Sequence, residues 1–133
     1  MKYILFLVYF LLIFSCSNNN EKPKKYHPNT ITTSIHDFVP SEINLSLGDT
    51  VFFVLGPSHD MKEVSEINFN NNIPYPIEDG FNIGFGNSSF FVPKEAKTYY
   101  FICATHLPQM KLRVHVKKQI PFIKGNSGIR QGL

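Results

Sequence analysis

An eight-residue stretch late in the chain, CATHLPQM, holds a thiol, an imidazole and a thioether. Cys103, His106 and Met110 supply these groups. A loop that bends after three residues and again after four can bring the three side chains around one point. Thiolate and imidazole are good ligands for transition metals, and a thioether is a weaker one. The stretch therefore predicts a metal site.

The type of donor distinguishes between the metals. Two nitrogens and a thiolate in a trigonal plane, with a long axial methionine, suit copper. Zinc also binds cysteine and histidine, but it prefers a closed tetrahedral set without methionine. Haem attachment would need a second cysteine before His106, where the sequence has none. The ligand chemistry thus favours copper.

A trigonal copper site needs one more imidazole. His59 follows a strongly apolar strand and a Gly-Pro turn, so it can lie at the same end of the domain as Cys103. The other three histidines are interpreted as surface residues without a metal role. His27 lies in a polar segment, His36 is placed beside an aspartate in the first strand, and His115 faces solvent by alternation.

Two interpretations without a metal remain open at this point. Free cysteine is often a small buried hydrophobic residue, and Cys103 fits that role when it is taken alone. Met110, Leu112 and Val114 occur at every second position, so they point to the same buried face. Met110 therefore also fits a core methionine.

The beginning of the chain, MKYILFLVYFLLIFSC, is typical of a secretory signal. Its apolar run is too short to cross a bilayer as a mature helix. The end of this run resembles the lipobox of bacterial lipoproteins, in which cleavage precedes a cysteine that carries the lipid. This predicts lipidation of Cys16 and a membrane-anchored lipoprotein on the periplasmic or surface side of a bacterial cell envelope. A plain signal peptide with an incidental cysteine is the alternative.

The sequence is divided into four predicted segments. They are a lipoprotein signal peptide (1–15), a lipid-anchored flexible tether (16–28), a single domain (29–118) and a C-terminal extension (119–133). Without the signal peptide the chain has 12 basic and 10 acidic side chains, a net charge of +2. That balance, without a stripe of basic and aromatic residues, predicts no nucleic-acid partner.

Within the domain, apolar residues recur at every second position, which is typical of strands with one buried face. The clearest cases are INLSL (43–47) and KLRVHVK (111–117), and the other predicted strands are TITTSIHDFV, TVFFVL, FNIGFG, SFFV and TYYFIC. The only candidate helix lies near residues 62–70. Short strands separated by turns predict an all-β sandwich or barrel.

Several motifs, in this order, resemble the small blue-copper proteins of the cupredoxin family, in its plastocyanin and pseudoazurin-like branch. The resemblance covers roughly residues 31–116 and consists of Phe38-x-Pro40, Gly48-Asp49-x-Val51-x-Phe53, His59, Cys103, His106 and Met110. It implies a Greek-key β-sandwich with at most one short helix. It also implies one type 1 copper ion, with Met110 as the axial ligand and the other three as equatorial ligands.

The chain departs from the family pattern at three places. In the last strand pair, Ala96-Lys97 replaces a glycine. The family often has asparagine or threonine after the first histidine, where this chain has Asp60. The hydrogen bond that ties the ligand loops together is therefore expected to differ. Leu112 stands where the family usually has glycine.

The resemblance implies an electron carrier, and the sequence offers no catalytic residues: it has no nucleophile with a base, no phosphate loop and no further copper motif. It also implies a monomer, with His106 near the surface inside a docking patch of Pro57, Leu107 and Pro108. The expected partners are transient redox proteins, a cytochrome or a respiratory or reductase enzyme, and the membrane through the lipid. A copper chaperone or buffer and a metal-free interaction module remain as alternatives.

Overall fold

The computed structural model describes residues 25–119. The predicted signal peptide, Cys16, most of the tether and residues 120–133 lie outside this range. Within it, no helix has the length and hydropathy that crossing a bilayer requires.

The described residues form two sheets that pack face to face. One sheet has the strand order β2-β1-β4-β7 and the other β3-β9-β8-β5-β6. The predicted all-β sandwich is confirmed. Its elements are β1 (Thr30–Thr33), β2 (Phe38–Val39), β3 (Glu42–Ser46), β4 (Val51–Val54), β5 (Met61–Val64), α1 (Glu66–Asn70), β6 (Asn82–Ile83), β7 (Ser88–Phe91), β8 (Thr98–Ile102) and β9 (Lys111–Lys117).

The alternation of apolar residues sets the two faces of the sheets. On β9, Leu112, Val114 and Val116 are buried as predicted, because every second side chain points to the same face. Parallel pairs, β1 with β4 and β3 with β9, join strands that are distant in sequence. These long-range pairs could not be read from local pattern.

Three predicted elements were wrong in their extent. Of FNIGFG, only Asn82–Ile83 is strand. The stretch TITTSIHDFV is not one strand, because residues 34–37 form a turn in which the Ser34 N–H donates to the Asp37 carbonyl at 2.9 Å. The candidate helix at 62–70 begins as strand β5, which pairs with β6 on one side and β8 on the other. Only α1 is helical, and the Ser65 hydroxyl caps it by accepting from the Asn68 N–H at 3.1 Å.

Strand pairing brings two chain segments to one end of the second sheet. β5 begins just after His59, and β8 ends just before Cys103. These strands are antiparallel neighbours, with Lys62 opposite Ile102. The start of one and the end of the other therefore lie side by side.

Aromatic rings fill the space between the sheets. The ring of Phe101 is fully buried, and its centroid lies 6.0 Å from that of Phe53, 6.4 Å from that of Phe81 and 5.8 Å from that of Phe91. Phe101 lies two residues before Cys103, so both side chains point to the same face. The aromatic cluster therefore supports the end of the sheet that carries the thiol.

Replacing Phe101 with alanine is expected to lower the free energy of unfolding by roughly 3–5 kcal/mol, since the substitution leaves a cavity among packed rings. Urea denaturation of the metal-free chain measures this loss. Phe90 on β7 is 61% exposed, and Phe90→Ala is the matched control, with an expected loss below about 1 kcal/mol. Equal losses in the two variants would contradict this description of the core.

Candidate metal centre

Three of the predicted ligands come together at this end of the sandwich. One ligand atom each from His59, Cys103 and His106 lies within 4.8 Å of the others. The Cys103 Sγ is 3.4 Å from the His106 Nδ1, and the two imidazole centroids are 4.7 Å apart. Cys103 is fully buried, His59 is 4% exposed and His106 is half-buried. The thiol and the His59 ring are therefore closed to solvent, and the site reaches the surface through His106.

A tight turn positions His59. Its N–H donates to the Gly56 carbonyl at 3.0 Å, and its carbonyl accepts from the Gly86 N–H at 3.2 Å. A Cβ on Gly56 would lie 3.0 Å from the Thr33 Oγ1 and 3.1 Å from the His59 Cδ2. A side chain at position 56 would therefore crowd the His59 ring and the Thr33 hydroxyl.

Three backbone hydrogen bonds close the loop that carries the other ligands. The His106 N–H donates to the Cys103 carbonyl at 3.3 Å, the Met110 N–H to the His106 carbonyl at 2.9 Å, and the Cys103 N–H to the Met110 carbonyl at 3.1 Å. The first of these bonds closes a 3-10 turn over Ala104–His106. Met110 is fully buried in the main core cluster with Leu112 and Val114, as its parity predicted.

One buried nitrogen of the site lacks a hydrogen bond. Among the described residues, the His59 Nδ1 has no partner although it is excluded from solvent. Buried polar atoms are almost always paired, and an unpaired one costs about 1–3 kcal/mol. A metal ion shared with Cys103 and His106 would satisfy this atom. The residues therefore fit the two-nitrogen, one-thiolate donor set that suits copper.

Asp60 ties the two ligand segments together. Its Oδ1 accepts from the Ala104 N–H at 2.9 Å, across 44 positions of sequence. The residue is 4% exposed, and its Oδ2 lies 3.6 Å from the Lys62 Nζ. A hydrogen bond thus joins the two segments, and its acceptor is a carboxylate. A negative charge consequently lies beside the thiol.

Burial shifts the acid–base behaviour of two ligands in opposite directions. It is the main cause that raises the pKa of the Cys103 thiol, and the side chain of Asp60 raises it further. Burial is also the main cause that lowers the pKa of His59, and the nearby His106 imidazole lowers it further. At neutral pH, His59 is thus neutral and ready to bind, whereas Cys103 still carries its proton.

His36 is a neighbour of the site that the sequence did not reveal. It lies in the 34–37 turn and not in the first strand, and its ring centroid is 5.3 Å from that of His106. It is exposed, as predicted, but it is not isolated. The sequence offered no signal for this contact, because it depends on the turn between β1 and β2 folding over the 103–110 loop.

The two remaining histidines lie away from the ligands. His115 is half-buried rather than fully exposed, with its Nδ1 2.9 Å from the Thr98 Oγ1 and its Nε2 3.1 Å from the Glu42 carboxylate. The exposed His27 accepts the Asn29 N–H through its Nδ1 at 3.3 Å. Neither belongs to the ligand cluster.

The predicted docking residues have different exposures. Pro57 and Pro108 are exposed, and Leu107 is half-buried. Two further apolar side chains near the site were missed. Ile35, beside His36 in the turn, is 78% exposed, and Phe85, next to the glycine that packs against Pro57, is 57% exposed.

Binding of a divalent metal ion to this site is expected to release about one proton at pH 7, because the ligand is the thiolate and the thiol begins protonated. The apparent affinity should therefore rise with pH until the raised pKa of Cys103 is passed. A pH indicator in weakly buffered solution, with Cu(II) added to the metal-free chain, measures the release. An affinity independent of pH between 6 and about 8 would contradict the assignment of Cys103 as the ligand.

The substitution Asp60→Ala is expected to lower the free energy of unfolding by about 1–3 kcal/mol, because the part-buried Ala104 N–H loses its acceptor. Asp60→Asn keeps an acceptor oxygen and should lose less than half as much. Urea denaturation of both metal-free variants makes the comparison. If the two losses are equal, the carboxylate charge and not the hydrogen bond is what holds the loops.

No protein-family model and no curated protein sequence matches the chain. Among solved structures, it resembles native pseudoazurin from Hyphomicrobium denitrificans, with 23% identity over 68% of this chain and 75% of that one and a TM-score of 0.55. A purple cupredoxin from Nitrosopumilus maritimus shares 18% identity over 66% and 98%, with a TM-score of 0.50. A Cu-containing nitrite reductase from Thermus scotoductus SA-01 shares 20% over 72% of this chain but only 24% of that one, with a TM-score of 0.50.

These likenesses agree with the two-sheet sandwich. The chain has the cupredoxin fold, and its His59, Cys103 and His106 lie close enough together to hold one metal ion.

Proposed function

We propose that this protein is a type 1 copper-binding electron carrier that moves single electrons between extracytoplasmic redox partners. The observation that carries the proposal is the buried His59 Nδ1, which has no hydrogen-bond partner among the described residues and lies beside a thiol and a second imidazole. When bound, copper supplies a one-electron couple between Cu(I) and Cu(II).

The proposed roles of the ligands follow from their chemistry. Cys103 would supply the thiolate, and His59 and His106 would supply two imidazole nitrogens. Met110 would add a weak thioether ligand, which tunes the reduction potential in sites of this kind. Its backbone bonds to Cys103 and His106 fix the length of the loop from which it would act.

The surroundings of the ligands favour electron transfer because they hold each ligand in place independently of the metal. The Gly56 turn fixes His59, and the Asp60 to Ala104 hydrogen bond fixes the Cys103 segment relative to it. Ligands that are already held in position need little rearrangement when the charge of the site changes. Small rearrangement is the condition for fast one-electron exchange.

We further propose that the protein is a carrier and not an enzyme, and that it has no catalytic residues. Because Cys103 and His59 are buried, a substrate would have to pass the protein around them to reach the metal. An open groove of about 570 Å³ lies near Glu63 and Tyr99, and none of its lining residues is a candidate ligand. The likeness to the nitrite reductase covers only a quarter of that enzyme, so it carries no argument for catalysis here.

Partners are proposed to dock around His106, the ligand nearest the surface. Exposed Pro57 and Pro108, with half-buried Leu107, form the patch that the sequence suggested. Ile35 and Phe85 extend it at the same end of the domain. A small apolar patch suits a transient interface with a redox protein, such as a cytochrome or a respiratory or reductase enzyme.

The proposed location is the bacterial cell envelope, on the periplasmic or surface side. After removal of residues 1–15, a lipid on Cys16 would hold the protein at a membrane, and residues 16–28 would connect it to the domain. A flexible tether of this length spans roughly 20 Å on average. The carrier would act there as a monomer, close to membrane enzymes and without a nucleic-acid partner.

The burial of the ligands argues against a copper chaperone or buffer. Handing copper to another protein by ligand exchange requires the acceptor's ligands to reach the metal. Cys103 and His59 are buried, so an acceptor could approach only at His106. The unpaired His59 Nδ1 argues against a metal-free interaction module, because such a module would gain stability from pairing that atom.

The visible absorption spectrum of the full-length chain in mild detergent, after addition of Cu(II), tests the proposal. We expect an intense thiolate-to-copper band that bleaches with ascorbate, returns with ferricyanide and is absent from Cys103→Ser. His27→Ala is the matched control and should keep the band. A chain that binds copper without the band, or binds none, would falsify the carrier assignment.

Loss of copper to a modest competing chelator during redox cycling would instead favour the buffer. An unchanged melting temperature on adding Cu(II) would favour the metal-free module, because a ligand that binds only the native state must raise it.

A further inference from the structure

His36 stands at the outer end of a row of three imidazoles. The ring of His59 is buried, that of His106 is half-buried and that of His36 is exposed. Neighbouring centroids are 4.7 Å and 5.3 Å apart, and each pair is tilted by 50°. The spacing and tilt of the outer pair are thus close to those of the pair that belongs to the metal centre.

The outer spacing matches two imidazoles that bind one ion. A metal–nitrogen bond of about 2.0–2.1 Å places each ring centroid roughly 3.2 Å from the metal, and a tetrahedral angle then separates the centroids by about 5.2 Å. The centroids of His36 and His106 are 5.3 Å apart. The separation of the two rings therefore suits two imidazoles that bind the same ion.

The nitrogen atoms of His106 face different ways. Its Nδ1 lies 3.4 Å from the Cys103 Sγ, so this atom belongs to the inner site. The Nε2 is on the opposite side of the ring and is the atom left for an outer ion. His106 can thus serve either site through a different nitrogen.

The inner site, formed by His59, Cys103 and His106, is closed to solvent on most sides. A ligand at the surface can therefore help an ion to enter it. Cys103 is fully buried and His59 is 4% exposed, so an ion from solvent meets His106 before it meets either of them. The Ser34 N–H to Asp37 carbonyl bond holds the turn that presents His36 beside that point.

We propose that His36 and His106 form an outer copper site through which the inner site is loaded, an inference that rests on the proposed function. His36 and the His106 Nε2 take the ion from solvent, with water completing its coordination. Transfer exchanges the His36 nitrogen for the Cys103 thiolate and the His106 Nε2 for its Nδ1, and His59 displaces a bound water. The proton on the His106 Nδ1 passes through solvent to the Nε2 that the ion leaves. The thiol proton leaves to solvent, and no electron is transferred.

Stopped-flow mixing of the metal-free, full-length chain with Cu(II) tests the loading role. In His36→Ala, the thiolate-to-copper band should appear about tenfold more slowly, the size of effect expected when a supporting group at a metal site is lost. Its final intensity, wavelength and copper affinity should match the unmodified chain. His27→Ala removes another exposed histidine and should load at the original rate.

A second experiment tests the outer site without the inner one. In Cys103→Ala, substoichiometric Cu(II) should broaden the imidazole NMR signals of His36 and His106. The broadening at His106 should weaken strongly in the double variant His36→Ala, Cys103→Ala. Because this readout needs no thiolate–copper band, it separates the outer site from the electron-carrier assignment.

The possible outcomes are distinct. Loading of His36→Ala at the original rate overturns the proposal, and so does a change in its final spectrum, which would make His36 a part of the finished site. Unchanged loading with slower electron exchange would assign His36 to partner docking instead. Absence of the band from the unmodified chain contradicts the proposed function, while the NMR experiment still decides the outer site.

Discussion

The metal centre depends on one hydrogen bond between segments that are distant in sequence. The Asp60 carboxylate accepts from the Ala104 N–H, and the two residues each follow a ligand directly. Strands β5 and β8 bring these segments to the same end of a sheet, but pairing ends at Lys62 and Ile102. Beyond that point the carboxylate provides the tie. The closeness of a buried thiol to a buried imidazole is thus maintained by an acceptor that is itself charged and buried.

Much of the fold and of the site could be predicted because both rest on local pattern. Alternation assigned Leu112 and Val114 to the core and gave Met110 the same buried face. The spacing of Cys103 and His106 indicated one loop, and the structure closes that loop with backbone hydrogen bonds. Information of this kind survives in a single sequence because neighbouring residues determine it.

The missed features depend on contacts between distant segments. Strand β5 resembled the start of a helix, and only its pairing with β6 and β8 makes it a strand. The contact of His36 with His106 requires the β1–β2 turn of one sheet to lie over a loop of the other. Both sheets consequently contribute to this end of the molecule. The second sheet carries the candidate ligands, and the β1–β2 turn of the first sheet lies over them.

The distance along the chain between the two halves of the site has a further consequence. His59 and Cys103 are as far apart in sequence as Asp60 and Ala104, so a metal ion that both residues bind cross-links the polypeptide in the manner of a disulfide. In the chain-entropy model, closing a loop of about 44 residues restricts the unfolded state by roughly 4 kcal/mol. A chain that keeps its metal on unfolding would accordingly remain looped and refold from a smaller set of conformations.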